Sequence, residues 1–205
     1  MRFVERTLSV MFLLIALTAC SSEEPKAAPT PKAATIAVVL GREIPKEDSE
    51  KLDGIIFGAL RERFVKDNKI KATAAEVDAF IVKFNELADS APIPMPPNEV
   101  PEAEARAAER EIAEGMVTTF KVNQAFYQRY GGRVIFQQFG PEPVDAYHKF
   151  LREQERKGAF EILDKQYEDE FWDYFVNDSS HDFLSAEEGA EAMTTPWWLR
   201  ETSDR

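Results

Sequence analysis

The chain has 205 residues and a formal charge of −12, with 37 acidic against 25 basic side chains, one cysteine and two histidines. An acidic surface of this kind disfavours nucleic acid and anionic lipid headgroups as partners, because both carry the same sign of charge. One thiol excludes an internal disulfide or a cysteine-cluster metal site, and two histidines leave little material for any other, so no metal and no cofactor is expected.

Residues 1–19 form the first element. Arg2 and Arg6 outweigh Glu5, an apolar run follows from Leu8 to Leu17, and Leu17-Thr18-Ala19-Cys20 closes it. About ten apolar residues are too few for a bilayer core, which needs about 20, but they suit an export signal. The closing tetrad resembles the lipobox of bacterial lipoproteins, whose cysteine receives a diacylglyceryl group and becomes the mature N-terminus. That resemblance implies lipidation of Cys20, with palmitate among the acyl chains, and a membrane partner reached through lipid rather than through charge. Ser21, behind the cysteine, resembles the sorting pattern for the outer membrane of Gram-negative bacteria. The expected location is therefore the cell envelope, lipid-anchored on the outer membrane and facing the periplasm. Residues 20–34 hold Pro25, Pro29 and Pro31 and no large apolar side chain, so they read as a flexible tether. Fully extended, such a segment reaches roughly 45 Å.

The folded body is expected from residue 35. Ile36 to Leu40 is a short, mostly β-branched run ending at Gly41 and reads as a strand. Pro45 then opens a helix, with Glu47 and Asp48 in its first turn, where the helix dipole favours anions. Leu52, Ile55, Ile56, Ala59, Leu60 and Phe64 recur at helical spacing, and Asn68 marks the end. Thr73-Ala74-Ala75-Glu76 is a capping box that starts a second helix carrying Val77, Phe80, Ile81, Phe84 and Leu87 on one side. Strand and two antiparallel helices make one small unit, residues 35–90.

Residues 91–101 contain five prolines. That density forbids a helix and gives a stiff connector or, in a second reading, a proline-rich ligand for an aromatic groove. Residues 102–200 are expected to pack with 35–90. A long helix runs from about Glu102 to Tyr130, solvated in its first half and packed in its second through Ile112, Met116, Phe120, Tyr127 and Tyr130, with Val122 and Phe126 slightly to the side. Gly131-Gly132 stops it. Val134 to Phe139 reads as a strand or crossing segment broken by Gly140 and Pro141. Helices follow to Lys157 and from Lys165 to Val176, then a short one behind the capping box Ser185-Ala186-Glu187-Glu188. The fold class is mainly α: a helical domain with a short N-terminal strand and one or two further short strands.

Two stretches resemble the N-terminal chaperone segment of SurA-type and PrsA-type periplasmic foldases. One is Ile36-Ala37-Val38-Val39-Leu40-Gly41-Arg42-Glu43-Ile44. The other is the passage from Leu60-Arg61-Glu62-Arg63-Phe64 to Asn68-Lys69-Ile70-Lys71-Ala72-Thr73, with Thr73-Ala74-Ala75-Glu76-Val77-Asp78 opening the next helix. The likeness covers about a quarter of the chain and implies a helical module that holds polypeptides. In those foldases a parvulin-type isomerase domain follows; here the proline-rich connector stands in its place, so prolyl isomerase activity is not expected. The long helix ending Tyr127-Gln128-Arg129-Tyr130-Gly131-Gly132 takes the returning part.

Catalytic signatures are sparse. His148 lies on a helical apolar stripe with Val144, Tyr147 and Leu151 and reads as a packed histidine. His181 sits in the polar loop Asn177 to Asp182, where Ser180-His181-Asp182 are neighbours in sequence, but a triad is assembled by geometry across a fold. The same loop offers Asp178 and Asp182 to a cation without the full spacing of a calcium loop. Gly131-Gly132-Arg133 reads as a helix stop rather than an anion site. The stretch from Phe120 to Trp198 holds most of the aromatic side chains. Phe120, Tyr127, Tyr130, Trp172, Trp197 and Trp198 are the candidate contacts for a polypeptide, and Trp197-Trp198 either staple the C-terminus or stand as a contact point. The expected function is a non-catalytic envelope lipoprotein with a chaperone-like, polypeptide-binding domain, its partners unfolded or partner envelope polypeptides. The alternatives are a structural or inhibitory lipoprotein that binds one folded envelope partner, and a cell-envelope hydrolase built on His148 or His181. An apolar cleft between the N-terminal hairpin and the long helix favours the first.

Overall fold

A computed structural model describes residues 34–89 and 101–200. Cys20, the signal segment, the tether up to residue 33 and residues 91–100 of the connector lie outside these residues. Among the described residues the body is mainly α, with six α-helices and five short antiparallel strands.

The N-terminal strand is present as β1, Thr35–Val39, and it is the middle strand of a sheet. Leu40 and Gly41 both take positive φ, 50° and 80°, and Val39 pairs with Arg42. Two residues with φ > 0 match the right-handed twist of a hairpin, so the chain turns back at once into β2, Arg42–Pro45. The Leu40 amide donates to the Ala159 carbonyl at 2.7 Å, which helps hold that unusual backbone. On the other edge of β1 lies β5, Phe160–Ile162, giving the order β2-β1-β5.

Pro45 opens a short 3-10 helix of six residues, Lys46–Lys51, and the α-helix proper, α1, is Leu52–Asp67. Leu52, Ile56, Leu60 and Phe64 face inward at four-residue intervals. Asn68 caps the end, its side-chain amide donating to the Phe64 carbonyl at 2.7 Å. The capping box then forms: the Thr73 amide donates to Glu76 at 2.7 Å and the Glu76 amide to the Thr73 hydroxyl at 3.3 Å, starting α2, Ala74–Asp89. The expected pairing of these two helices is not what forms. The buried face of α1 enters one core, and Val77 and Phe80 of α2 enter another. The chain crosses between them quickly, Ile70 touching the first and Ala72 the second.

Helix α3, Glu102–Tyr130, has 29 residues, about 43 Å at 1.5 Å per residue. Its early turns are solvated. Further on it serves both cores, Ala113, Val117 and Phe120 in the second and Val122 and Phe126 in the first. Two partners on different sides mean two buried faces instead of one stripe. For that reason Ile112 is 64% exposed where a single stripe would bury it, while Val122 and Phe126 are buried completely. Gly131 and Gly132 stop the helix with φ of 58° and 114°.

Ile135–Gln137 (β3) and Gly140–Glu142 (β4) pair as a hairpin, so Gly140 and Pro141 open a return strand where a simple break was expected. Gly140 has φ of 109°, and a Cβ there would lie 2.8 Å from the Trp197 indole, so both backbone and space require glycine. Then come α4, Val144–Arg156, and α5, Lys165–Val176, capped by Asp164. The predicted Ser185–Glu188 box is formed in both directions and starts α6, Ala186–Thr194, before a 3-10 turn at Trp197–Leu199.

The first core gathers the sheet, α1, the end of α3, α4 and α5 around Phe126. Phe64 stacks on that ring at 4.2 Å, and Phe150 and Tyr147 approach at 4.8 and 5.5 Å. Its buried polar pair is satisfied: the Tyr147 hydroxyl donates to Asn123 at 2.6 Å and the Asn123 amide to the Pro141 carbonyl at 3.0 Å.

Candidate polypeptide-binding groove

The second core is small: Val77, Phe80, Ala113, Val117, Phe120 and Trp198. It exists because the chain end folds back onto the α2–α3 pair. Pro196 starts the final turn, Gln124 donates to the Met193 carbonyl at 2.9 Å, and Trp198 drops between Phe80 and Phe120. Its ring lies 5.1 Å from one and 5.4 Å from the other, both nearly edge to face. Such pairs add about 0.5–1.5 kcal/mol beyond the area they bury. Trp197 packs at 5.9 Å on Phe80 and covers Gly140. Of the two readings of Trp197-Trp198, stapling holds for Trp198, which is 3% exposed.

The staple does not cover α2 fully. Ala75 and Ala79, one turn apart, stop short of the C-terminal turn and leave a depression of about 430 Å³ lined by Val117, Phe120, Trp198 and Leu199, with Glu76, Lys121, Gln124, Thr194 and Pro196 around it. A second depression of about 470 Å³ continues along the same helix over Asp78, Ala79, Val82, Lys83, Glu86 and Leu199. Ala79 and Leu199 belong to both, so the two form one groove. Its outer side chains are open to solvent, Val82 at 60% and Leu199 at 53% exposure.

The polar rim is well tied. Lys121 reaches both Glu76 oxygens at 2.8 Å, Arg110 reaches Asp78 at 2.8 Å, and Lys83 reaches Glu86 at 3.0 Å. Burial pushes the Glu76 carboxyl up, but hydrogen bonds from Lys121 and Thr73 outweigh it and hold the group below its ordinary value. The groove is thus apolar along its floor and ionic at its edges.

The six candidate side chains do not gather in one place. Phe120 and Trp198 line the groove, and Trp197 adjoins it. Tyr127 is half-buried on α3 and lines neither half of the groove. Tyr130 donates to Glu153 at 2.7 Å, beside a separate, polar depression, and is pushed up to about 12 by burial and by that carboxylate. Trp172 is buried in the first core beneath Arg152, whose guanidinium sits 3.5 Å over its ring. Composition could not separate these cases, since all six are aromatics at helical or terminal positions. Ala75, Ala79, Val82 and Leu199 were missed. The signal available for them was the i, i+4, i+7 spacing on α2, on the side away from Val77 and Phe80.

Elsewhere the histidines stand in ordinary surroundings. His148 lies against Trp172 at 5.5 Å and Phe175 at 6.4 Å, and burial, then Arg152, hold it below the usual histidine range. His181 Nε2 meets the Tyr174 carbonyl at 2.5 Å. Neither lines the groove. Asp178, offered to a cation by the sequence, is engaged by Arg133 at 2.8 and 2.9 Å, and Arg133 also reaches Asp145 and covers the Phe183 ring at 4.0 Å. Among the described residues no group of three or more histidine, cysteine, aspartate or glutamate side chains is placed to hold a metal. No helix among them is long and apolar enough to cross a membrane. No family model matches the chain, and no curated protein or solved structure matches it.

Proposed function

We propose that this chain is a non-catalytic envelope lipoprotein, anchored through Cys20, whose body holds segments of other polypeptides in the groove along α2. One observation carries the reading: an apolar channel runs between a helix of the N-terminal part and the long helix, and its floor includes Phe120 and Trp198. Apolar floors with polar rims are the usual build of a protein-binding surface. The motif Leu17-Thr18-Ala19-Cys20 and the stretch resembling SurA-type and PrsA-type foldases support the same conclusion. The anchor faces the periplasm from the outer membrane and leaves the acidic body free to meet clients there.

Aggregation of a urea-denatured outer-membrane protein, followed by light scattering on dilution, tests the holding activity. Suppression is expected near a stoichiometric ratio; no effect at about a tenfold excess rejects it. A second reading, one folded envelope partner, draws on Phe136 and Phe139, which flank the tip of the β3–β4 hairpin at 49% and 59% exposure. Affinity capture from envelope extract separates the two. Many clients lost on Leu199→Glu support the groove, and one stoichiometric partner lost on Phe139→Ser supports the hairpin.

A further inference from the structure

Resting on the polypeptide-binding reading, we infer that the groove is shaped for one class of segment: an amphipathic α-helix with basic flanks. Three observations lead there.

The first concerns the walls. They are α2 and the terminal 3-10 turn along the whole length, with α3 beside the inner half only, and the backbone groups of helix interiors are already bonded within their own helices. An extended segment laid between such walls finds no free strand edge to bond, and its amides lose water without compensation. A helix brings its own backbone bonds and needs only side-chain contact, which is the helix-in-groove mode of recognition.

The second concerns the floor. Ala75, Ala79 and Val82 recur at i, i+4 and i+7 on α2, forming an exposed ridge on the side away from Val77 and Phe80. Helices pack by setting ridges into grooves at 8–10 Å between axes, and alanines allow the near end of that range. From Ala75 to Glu86 the groove follows twelve residues of α2, about 17 Å. That length suits about three turns of a second helix, against only four or five residues of extended chain. The two halves meet at Ala79 and Leu199.

The third concerns charge. Helix α2 carries four carboxylates against Lys83 alone, α6 carries Glu187, Glu188 and Glu191 with no base, and the whole chain stands at −12. A cationic segment is drawn to this side and an acidic one is repelled. The rim pairs Glu76–Lys121 and Asp78–Arg110 leave the floor itself apolar, so charge steers while apolar contact holds.

The test uses the full mature chain bearing Cys20→Ser, which keeps it in solution, and four probes followed by tryptophan fluorescence and calorimetry. They are a fourteen-residue leucine–lysine peptide of helical period, the same composition in strict alternation, a leucine–glutamate helical analogue, and a reduced, alkylated polypeptide that cannot fold. The helical lysine peptide is expected to bind about tenfold or more tighter than the alternating and glutamate versions. Leu199→Glu and Val82→Glu, with circular dichroism and melting unchanged, are each expected to weaken it about tenfold. Both variants add negative charge, so weaker binding of a cation identifies lost apolar contact. Equal binding of the alternating peptide overturns the helix, and equal binding of the glutamate analogue overturns the basic flanks; in either case the polypeptide-binding reading stands if the unfolded chain binds. No effect of either variant overturns the groove as the site. Failure of every probe, the unfolded chain included, overturns the polypeptide-binding reading itself.

Discussion

The two cores strung along α3 differ in kind. The first is thick: Phe126 lies fully buried among Phe64, Phe150, Tyr147 and Phe57, and its Tyr147–Asn123 polar pair is satisfied. The second is a thin layer, two helices closed by a returning chain end, with Leu199 and Val82 left in solvent beside it. A filled aromatic core has no room for a visitor, whereas a thin one presents its floor. Under the proposed function, stability and recognition fall to different sides of one helix, and substitutions should separate them.

The sharpest break is in the first core. Phe126→Ala removes the ring on which five other aromatics lean, with an expected loss of about 3–5 kcal/mol in chemical denaturation. A loss under about 1 kcal/mol would mean that this cluster does not carry the fold. Next comes the junction between the cores, where Gly140 lies under Trp197. Gly140→Ala forces a side chain into a left-handed backbone and an occupied space, an expected cost of about 1–3 kcal/mol, with tryptophan emission shifting to the red as Trp197 is displaced.

Third is the clamp that Arg133 makes with Asp145 and Asp178. Burial raises Asp145, but hydrogen bonds from Arg133 prevail and leave it below the ordinary carboxyl range; the same arginine lowers Asp178. Carboxyls that hold protons less tightly folded than unfolded stabilise the protein above their unfolded pKa, near about 4. That contribution is lost as pH falls through the folded values. Arg133→Met should therefore move the acid-unfolding midpoint, read by circular dichroism, to higher pH; an unchanged midpoint would show the clamp to be idle. The smallest effect on stability belongs to the groove. Leu199→Glu lies at an exposed position and should shift stability by no more than about 0.5 kcal/mol, while polypeptide binding drops. Loss of both together would merge the two cores into one.

Much of this was legible in the chain. Both capping boxes, the bounds of α3 at Glu102 and Tyr130 and the aromatic α5 follow from local rules, because caps and helical periods act within a few residues. The sheet was harder. β2 and β5 are four and three residues long, and a Leu-Gly turn with two positive φ angles is a weak hairpin signal. The partner of α2 was not legible either. Amphipathic helices show that they bury a face but not against which neighbour, and a two-sided helix such as α3 obscures its own stripe. The groove depended on that partner and on the return of Trp198 from 78 positions beyond Phe120. Only the folded chain brings those together.

The most direct measurement is site-specific photocrosslinking. A photoreactive side chain placed singly at Val82, Leu199, Phe139 and Val176, all more than half exposed, is irradiated with an unfolded client bound to the mature chain. The account predicts adducts from 82 and 199 and none above background from 139 and 176. Adducts from all four positions alike, or from 139 and not 199, would contradict it.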